Sequence, residues 1–125
     1  MDPNMDPNMD LNVYPITYKG CVYPWQCDQI GHMNIMWYVG KFDEANWNHL
    51  ARVGLTPSYL RTEERGMAAV QQNITYKREL ETGEIAAVCE ITAVHIDRRV
   101  RKAVALPATI RDAANASLAP GMAAN

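Results

Sequence analysis

Between residues 35 and 53, Ile35, Tyr38, Val39, Phe42, Ala45, His49, Leu50 and Val53 recur at spacings of three and four, the period of an α-helix. Both ends are marked. Asn34 is a strong N-cap, and Gly54 suits the left-handed position that follows a helix. Trp37, Trp47 and Ala51 add apolar area off the main stripe, so the helix is expected to be covered on more than one side, with its Met and Trp residues in the core. A long helix with several apolar faces needs a layer that wraps it. The rest of the chain must supply that layer.

The supply is thin. Residues 1–12, with the tandem "MDPN MDPN", have little to bury and read as a disordered tail. Residues 14–23, "YPITYKGCVY", are rich in β-branched and aromatic residues and read as a first strand, which Pro15 and Gly20 push toward a bulge or an edge. "TPSYLRTEERG" reads as a short second helix capped by Thr56 with Pro57 at its first position. Residues 67–80 read as a second strand, "ETGE" as a turn, and "IAAVCEITAVHI" as a third strand. A terminal amphipathic helix is expected over residues 108–118, and residues 119–125 look frayed. The domain therefore spans residues 13–118: α+β, one long helix and three strands.

Composition excludes several function classes. A net charge of −2 offers no field for nucleic acid. No apolar run reaches the ~20 residues that span a bilayer, so no membrane partner is expected. The N-terminus lacks the basic flank and apolar stretch of a signal peptide, and three cysteines without framework spacing suit a reducing compartment. A cytoplasmic location is the expectation. Cys21, Cys27, His32 and His49 share no zinc-ligand spacing, so no metal is assigned.

"CDQIGHMNIMWY", residues 27–38, sets an acid, a glycine, a histidine and an asparagine against the helix start. The first N–H groups of a helix lack intrahelical acceptors and carry positive potential, so they can stabilise a developing oxyanion. Asp28 lies where it can activate water or attack directly, and Gly31 permits close approach of a ligand to backbone. Asp and Asn before a helix are also ordinary capping residues. His32 beside a helix start is either a supporting partner or simply solvated. The residues alone leave both readings open.

Residues 23–45, "YPWQCDQIGHMNIMWYVGKFDEA", resemble the 4-hydroxybenzoyl-CoA thioesterase-like branch of the hotdog-fold acyl-CoA thioesterases, through Asp28, Gly31, Tyr38 and the Glu44-Ala45 pair. Later stretches resemble the family's post-helix turn and closing strands, so the likeness covers about residues 13–112. The spacing of Asp28, His32 and Asn34 is also similar to plant acyl carrier protein thioesterases, although that group has a functional Asn where this chain has Ile30. The resemblance implies a hotdog fold, a long central helix packed on an antiparallel sheet, and dimers or tetramers paired through sheet edges. It implies hydrolysis of an acyl-CoA thioester to free acid and coenzyme A, with no cofactor because the coenzyme A belongs to the substrate. Asp28 would be the catalytic carboxylate; Gly31, His32, Met33 and Asn34 would receive the thioester carbonyl, and Tyr38 would line the acyl pocket. Arg98, Arg99 and Arg101 are candidate contacts for coenzyme A phosphates, against a reading as a solvated strand end.

The chain departs from the family between Leu80 and Glu84, where about two strands, roughly 25–30 residues, are missing. The family sheet runs first, third, fourth, fifth, second. Removing the third and fourth keeps the alternation of direction. The second and fifth would join directly through Glu81-Thr82-Gly83, and the first would close on the fifth. Three strands at ~4.8 Å spacing span only about 10 Å. An acyl groove short of one wall, and exposed helix surface that drives oligomerisation, are expected. A catalytically impaired or purely acyl-CoA-binding remnant is the rival reading. A dehydratase would need its own histidine motif, which the chain lacks.

Overall fold

A computed structural model of the protein describes residues 15–78 and 86–118. The expected tails at 1–12 and 119–125 and the turn at Glu81-Thr82-Gly83 lie outside the described residues. In chain order the elements are a 3-10 turn at Pro24–Gln26, α1 (Ile35–Arg52), α2 (Pro57–Thr62), β1 (Arg65–Tyr76), β2 (Ala87–Asp97), β3 (Lys102–Ala103) and α3 (Ala108–Ala116). The sheet is antiparallel in the order β1-β2-β3.

Local chemistry sets the helix ends. Asn34 Oδ1 accepts the N–H of Met36 at 3.0 Å, and Thr56 Oγ1 accepts that of Tyr59 at 3.1 Å. Gly54 follows α1 at φ +104°, where a Cβ would press on Ile110 Cγ1 at 3.2 Å. That contact belongs to the core. Val53, Leu55 and Ile110 are buried together, flanked by Leu50, Tyr59, Leu60, Met67, Leu106 and Ala114, at the end of α1 farthest from Asn34.

β1 and β2 pair directly from Arg65↔Asp97 to Tyr76↔Ala87, with an irregularity that leaves Val70 unpaired and exposed. The direct antiparallel pairing expected of these two strands is therefore observed. The third strand is not the expected one. Residues 15–23 form no strand, and β3 arises instead from the basic stretch after Asp97, pairing with Ile96 and Asp97 alone. Pro15 has no N–H to give a ladder. The carbonyls of Thr17 and Cys21 are met instead by side chains of α1: Asn48 Nδ2 donates to Thr17 at 2.6 Å and Lys41 Nζ to Cys21 at 3.2 Å.

The expectation of a helix covered on several sides also fails. No residue of α1 is buried, and Met36 and Trp47, expected in the core, are 62% and 41% exposed. Half-burial extends from Tyr38, Phe42, Ala45 and His49 to Trp37, Lys41, Asn46, Leu50 and Ala51, so α1 is partly screened on more than one side and fully covered on none. Behind the sheet, His95 is buried: its Nδ1 lies 3.2 Å from the Val104 carbonyl and its Nε2 3.2 Å from Tyr59 Oη. A carbonyl only accepts, so Nδ1 donates to Val104, while Nε2 and the Tyr59 hydroxyl share the second hydrogen bond.

Candidate functional site

Ahead of α1 the chain closes into a loop on an antiparallel bridge between Cys27 and Met33. Asp28 N–H donates to His32 O at 2.8 Å, Asn34 N–H to Gln26 O at 2.7 Å, and Gly31 N–H to Asp28 O at 3.1 Å. Gly31 takes φ +91° at this turn, in the region a side chain disfavours. Asp28 Oδ1 accepts the amides of Ile30 at 2.9 Å and His32 at 3.2 Å. One oxygen of the carboxylate thus builds the loop, as Asp commonly does in a turn. Among the described residues Oδ2 has no hydrogen-bond donor, and Asp28 is exposed on a cavity of about 540 Å3. The capping reading and the chemical reading fall on different oxygens of one side chain.

The same cavity is lined by Gly31, His32, Met33 and Tyr38, which the sequence had singled out, and by Val22, Ile35, Tyr76, Lys77 and Arg78, which it had not. Asn34 is not among its walls; it serves as the helix cap. The cap and loop also consume most of the local amides. Gly31, His32, Asn34, Met36 and Trp37 all donate within them, Trp37 to Asn34 O at 3.0 Å. The Asp28–His32 and Asn34–Gln26 bonds make Cys27 and Met33 a non-hydrogen-bonded pair, so the Met33 N–H points away from Cys27. Ile35 is the first residue of α1. Among the described residues these two amides have no acceptor, and both residues line the cavity. They are the donors left for a ligand oxygen.

Tyr38 joins this cavity to a second. Its ring meets Tyr76 edge-on, centroids 5.1 Å apart, which links α1 to the end of β1. Tyr38 and Met33 also line an apolar cavity of about 420 Å3, walled by Ile16, Tyr18, Phe42, Ala45 and Ala87. A polar chamber and an apolar one therefore share a partition. This arrangement suits a ligand with a polar reacting centre and an apolar tail.

The structure does not bring Arg98, Arg99 and Arg101 to this place. They follow Asp97, which pairs with Arg65 at the opposite end of the ladder from Tyr76, roughly 35 Å away at ~3.3 Å per residue. Arg98 donates to the carbonyls of Arg65 at 2.9 Å and Leu60 at 3.1 Å, Arg99 pairs with Glu64, and Arg101 holds a left-handed turn at φ +57°. The glutamate beside it raises the Arg99 guanidinium, and the amide of Arg99 holds the Asp97 carboxyl below its usual range. The cations at the cavity are Lys77 and Arg78, just past β1. Their signal was "YKREL" at the end of a strand, legible only once Tyr76 is placed against Tyr38. Burial raises the Cys89 thiol, which makes it a poorer nucleophile. Among the described residues no group of His, Cys, Asp and Glu is arranged to hold a metal, and no helix is long and apolar enough to cross a membrane.

The sequence of residues 22–85 matches the model of the thioesterase-like superfamily. The chain belongs to that superfamily. This is the hotdog thioesterase-like family that the Asp28 motif resembles, and the matched span includes Asp28, α1 and β1. Among solved structures, the chain is similar to a hypothetical protein from Staphylococcus aureus characterised in complex with CoA, with TM-score 0.72 and 16% identity, covering 77% of this chain and 78% of that one. At that identity the likeness is one of fold. Among curated proteins none matches the sequence.

Proposed function

We propose that this thioesterase-like protein hydrolyses an acyl-CoA thioester to the free acid and coenzyme A. One observation carries the reading: Asp28, Met33 and Ile35 line one cavity, and among the described residues Asp28 Oδ2 has no donor and the Met33 and Ile35 amides no acceptor. With the carbonyl oxygen on those amides, water attacks the carbonyl carbon and passes a proton to Asp28. The oxyanion gathers on the two N–H groups. Collapse breaks the C–S bond, and the thiolate leaves with the proton returned from Asp28. No cofactor enters, because the coenzyme A is part of the substrate. The neighbour's complex with CoA supports this class of ligand. Homodimers or homotetramers complete the proposal, since among the described residues β1 pairs on one edge only and α1 leaves Met36 and Trp47 exposed; a cytoplasmic location is proposed with it.

The decisive experiment measures thiol release from a panel of acyl-CoAs by wild type and Asp28→Ala. Turnover by wild type and its loss in the variant are expected; equal rates would remove Asp28 from the mechanism. A second reading, an acyl-CoA-binding remnant, is favoured by the unburied helix and the narrow sheet. It predicts acyl-CoA binding without turnover in both proteins.

A further inference from the structure

Residues 15–23 are held in an unusual way for a segment that walls a cavity. They have no ladder partner, and two α1 side chains, Lys41 and Asn48, hold them by the carbonyls of Cys21 and Thr17. Those residues lie seven apart, two helical turns along one side of α1. The Lys41 ammonium also stands 5.4 Å from the centroid of the Tyr18 ring. Tyr18 folds back over Gly20, where a Cβ would meet its hydroxyl at 2.5 Å, so a larger residue there would push the Tyr18 ring aside. The segment supplies Ile16, Thr17 and Tyr18 to the apolar cavity, opposite Phe42, Ala45 and Ala87.

We propose that residues 15–23 form a strap, latched to α1 by Lys41 and Asn48, that swings away to admit an apolar acyl group into the cavity behind Tyr38 and then closes over it. A paired strand would tie such a wall by a ladder of backbone bonds. Here two exposed side-chain bonds fasten it to α1, each worth about threefold to tenfold in the balance between closed and open, while the bonds between Tyr23 and Gln26 hold its far end as the hinge. Such a segment opens locally without unfolding the core, which lies at the far end of α1. The cavity abuts the Asp28 chamber through Met33 and Tyr38, so a group placed in it projects its polar end toward Asp28. The acyl identity of the occupant rests on the thioesterase reading; the latch does not. Lys41 and Asn48 are positioning residues, since they touch the strap rather than the reacting atoms.

Lys19 lies exposed within the strap and reports its opening. Proteolysis of a transiently open segment follows the population of the open form when closing is fast. The full chain is treated with dilute trypsin, and cleavage after Lys19 is followed by mass. Lys41→Met and Asn48→Ala are each expected to accelerate cleavage about threefold to tenfold, and Lys41→Arg to restore the wild-type rate. Decanoate is expected to slow cleavage of wild type. Both truncating substitutions preserve or improve helix propensity, so α1 should persist, as circular dichroism checks. Where decanoyl-CoA is turned over, the latch variants should change its KM more than that of acetyl-CoA, with kcat held. Unchanged cleavage in both latch variants, or no protection by decanoate, would overturn the strap. Absence of turnover with the cleavage pattern intact would overturn the thioesterase reading and leave the strap standing.

Discussion

Asp28→Asn separates the two jobs of the Asp28 carboxylate. The amide keeps an oxygen at Oδ1, able to accept from Ile30 and His32, and places an NH2 where Oδ2 stood. The loop should survive while the base or nucleophile is lost. Asp28→Ala removes both. The side chain is exposed, so its two bonds together are worth about 1–2 kcal/mol at this surface. A loss of that size lowers the melting temperature of a domain near 100 residues by about 4–10 °C. The activity term is larger, since a positioned acid or base contributes about 10²–10⁴ in rate. Asp28→Asn should therefore melt within a degree or two of wild type and lose at least a hundredfold in kcat. Asp28→Ala should lose the activity and the stability together. Thiol release from an acyl-CoA and thermal denaturation by circular dichroism give both numbers on the same samples. An Asn variant that stays near wild-type activity would refute the reasoning, because the only role left to Asp28 would be the loop.

Three further substitutions test other parts of the structure. Tyr59→Phe removes the hydrogen bond between the Tyr59 hydroxyl and Nε2 of the buried His95 and should cost about 1–2 kcal/mol, read from urea denaturation. Asp97 titrates below its usual value, chiefly because it accepts the amide of Arg99, so it lends the fold stability that is present above the unfolded carboxylate pKa near 4 and fades as pH falls through the lower folded value. Asp97→Asn should accordingly show a shallower loss of melting temperature between about pH 4 and pH 2 than wild type. Arg101 sits at φ +57°, so Arg101→Gly should raise stability by about 0.5–1 kcal/mol and leave the KM for acyl-CoA unchanged; a KM raised several-fold would bring the basic turn back as a phosphate contact.

What could be read from the chain follows the range of the forces involved. The limits of α1 depended on Asn34 and Gly54, whose effects are local, and they appear where the spacing puts them. Thr56 and Pro57 start α2 for the same reason. The β1–β2 ladder was legible because a short connection leaves two strands little choice but to pair as neighbours. The fate of residues 15–23 was not. A strand is a property of two partners, and this segment's composition says nothing of whether a ladder will have room for it. The space beside β2 goes to β3, two residues long, from a stretch whose charges pointed to solvent.

The candidate site divides along the same line. Asp28, Gly31, His32 and Met33 meet because they share one loop, so their spacing sufficed. Lys77 and Arg78 reach that loop from the other end of the sheet, and only the register through Tyr76↔Ala87 brings them there. The same register carries Arg98, Arg99 and Arg101 away, since a β-ladder that delivers its far end to a site must remove its near end by its own length. Of the two readings the sequence left for Arg98, Arg99 and Arg101, a phosphate contact or a strand end, their place in the ladder fits the strand end. The three-stranded sheet of the described residues sharpens this point. The loop, the cap and the amides of Met33 and Ile35 all belong to α1 and its lead-in, so the Asp28 cavity does not depend on the width of the sheet. The apolar cavity instead needs a wall from somewhere, and residues 15–23, freed from any ladder, are the part of the chain that provides it.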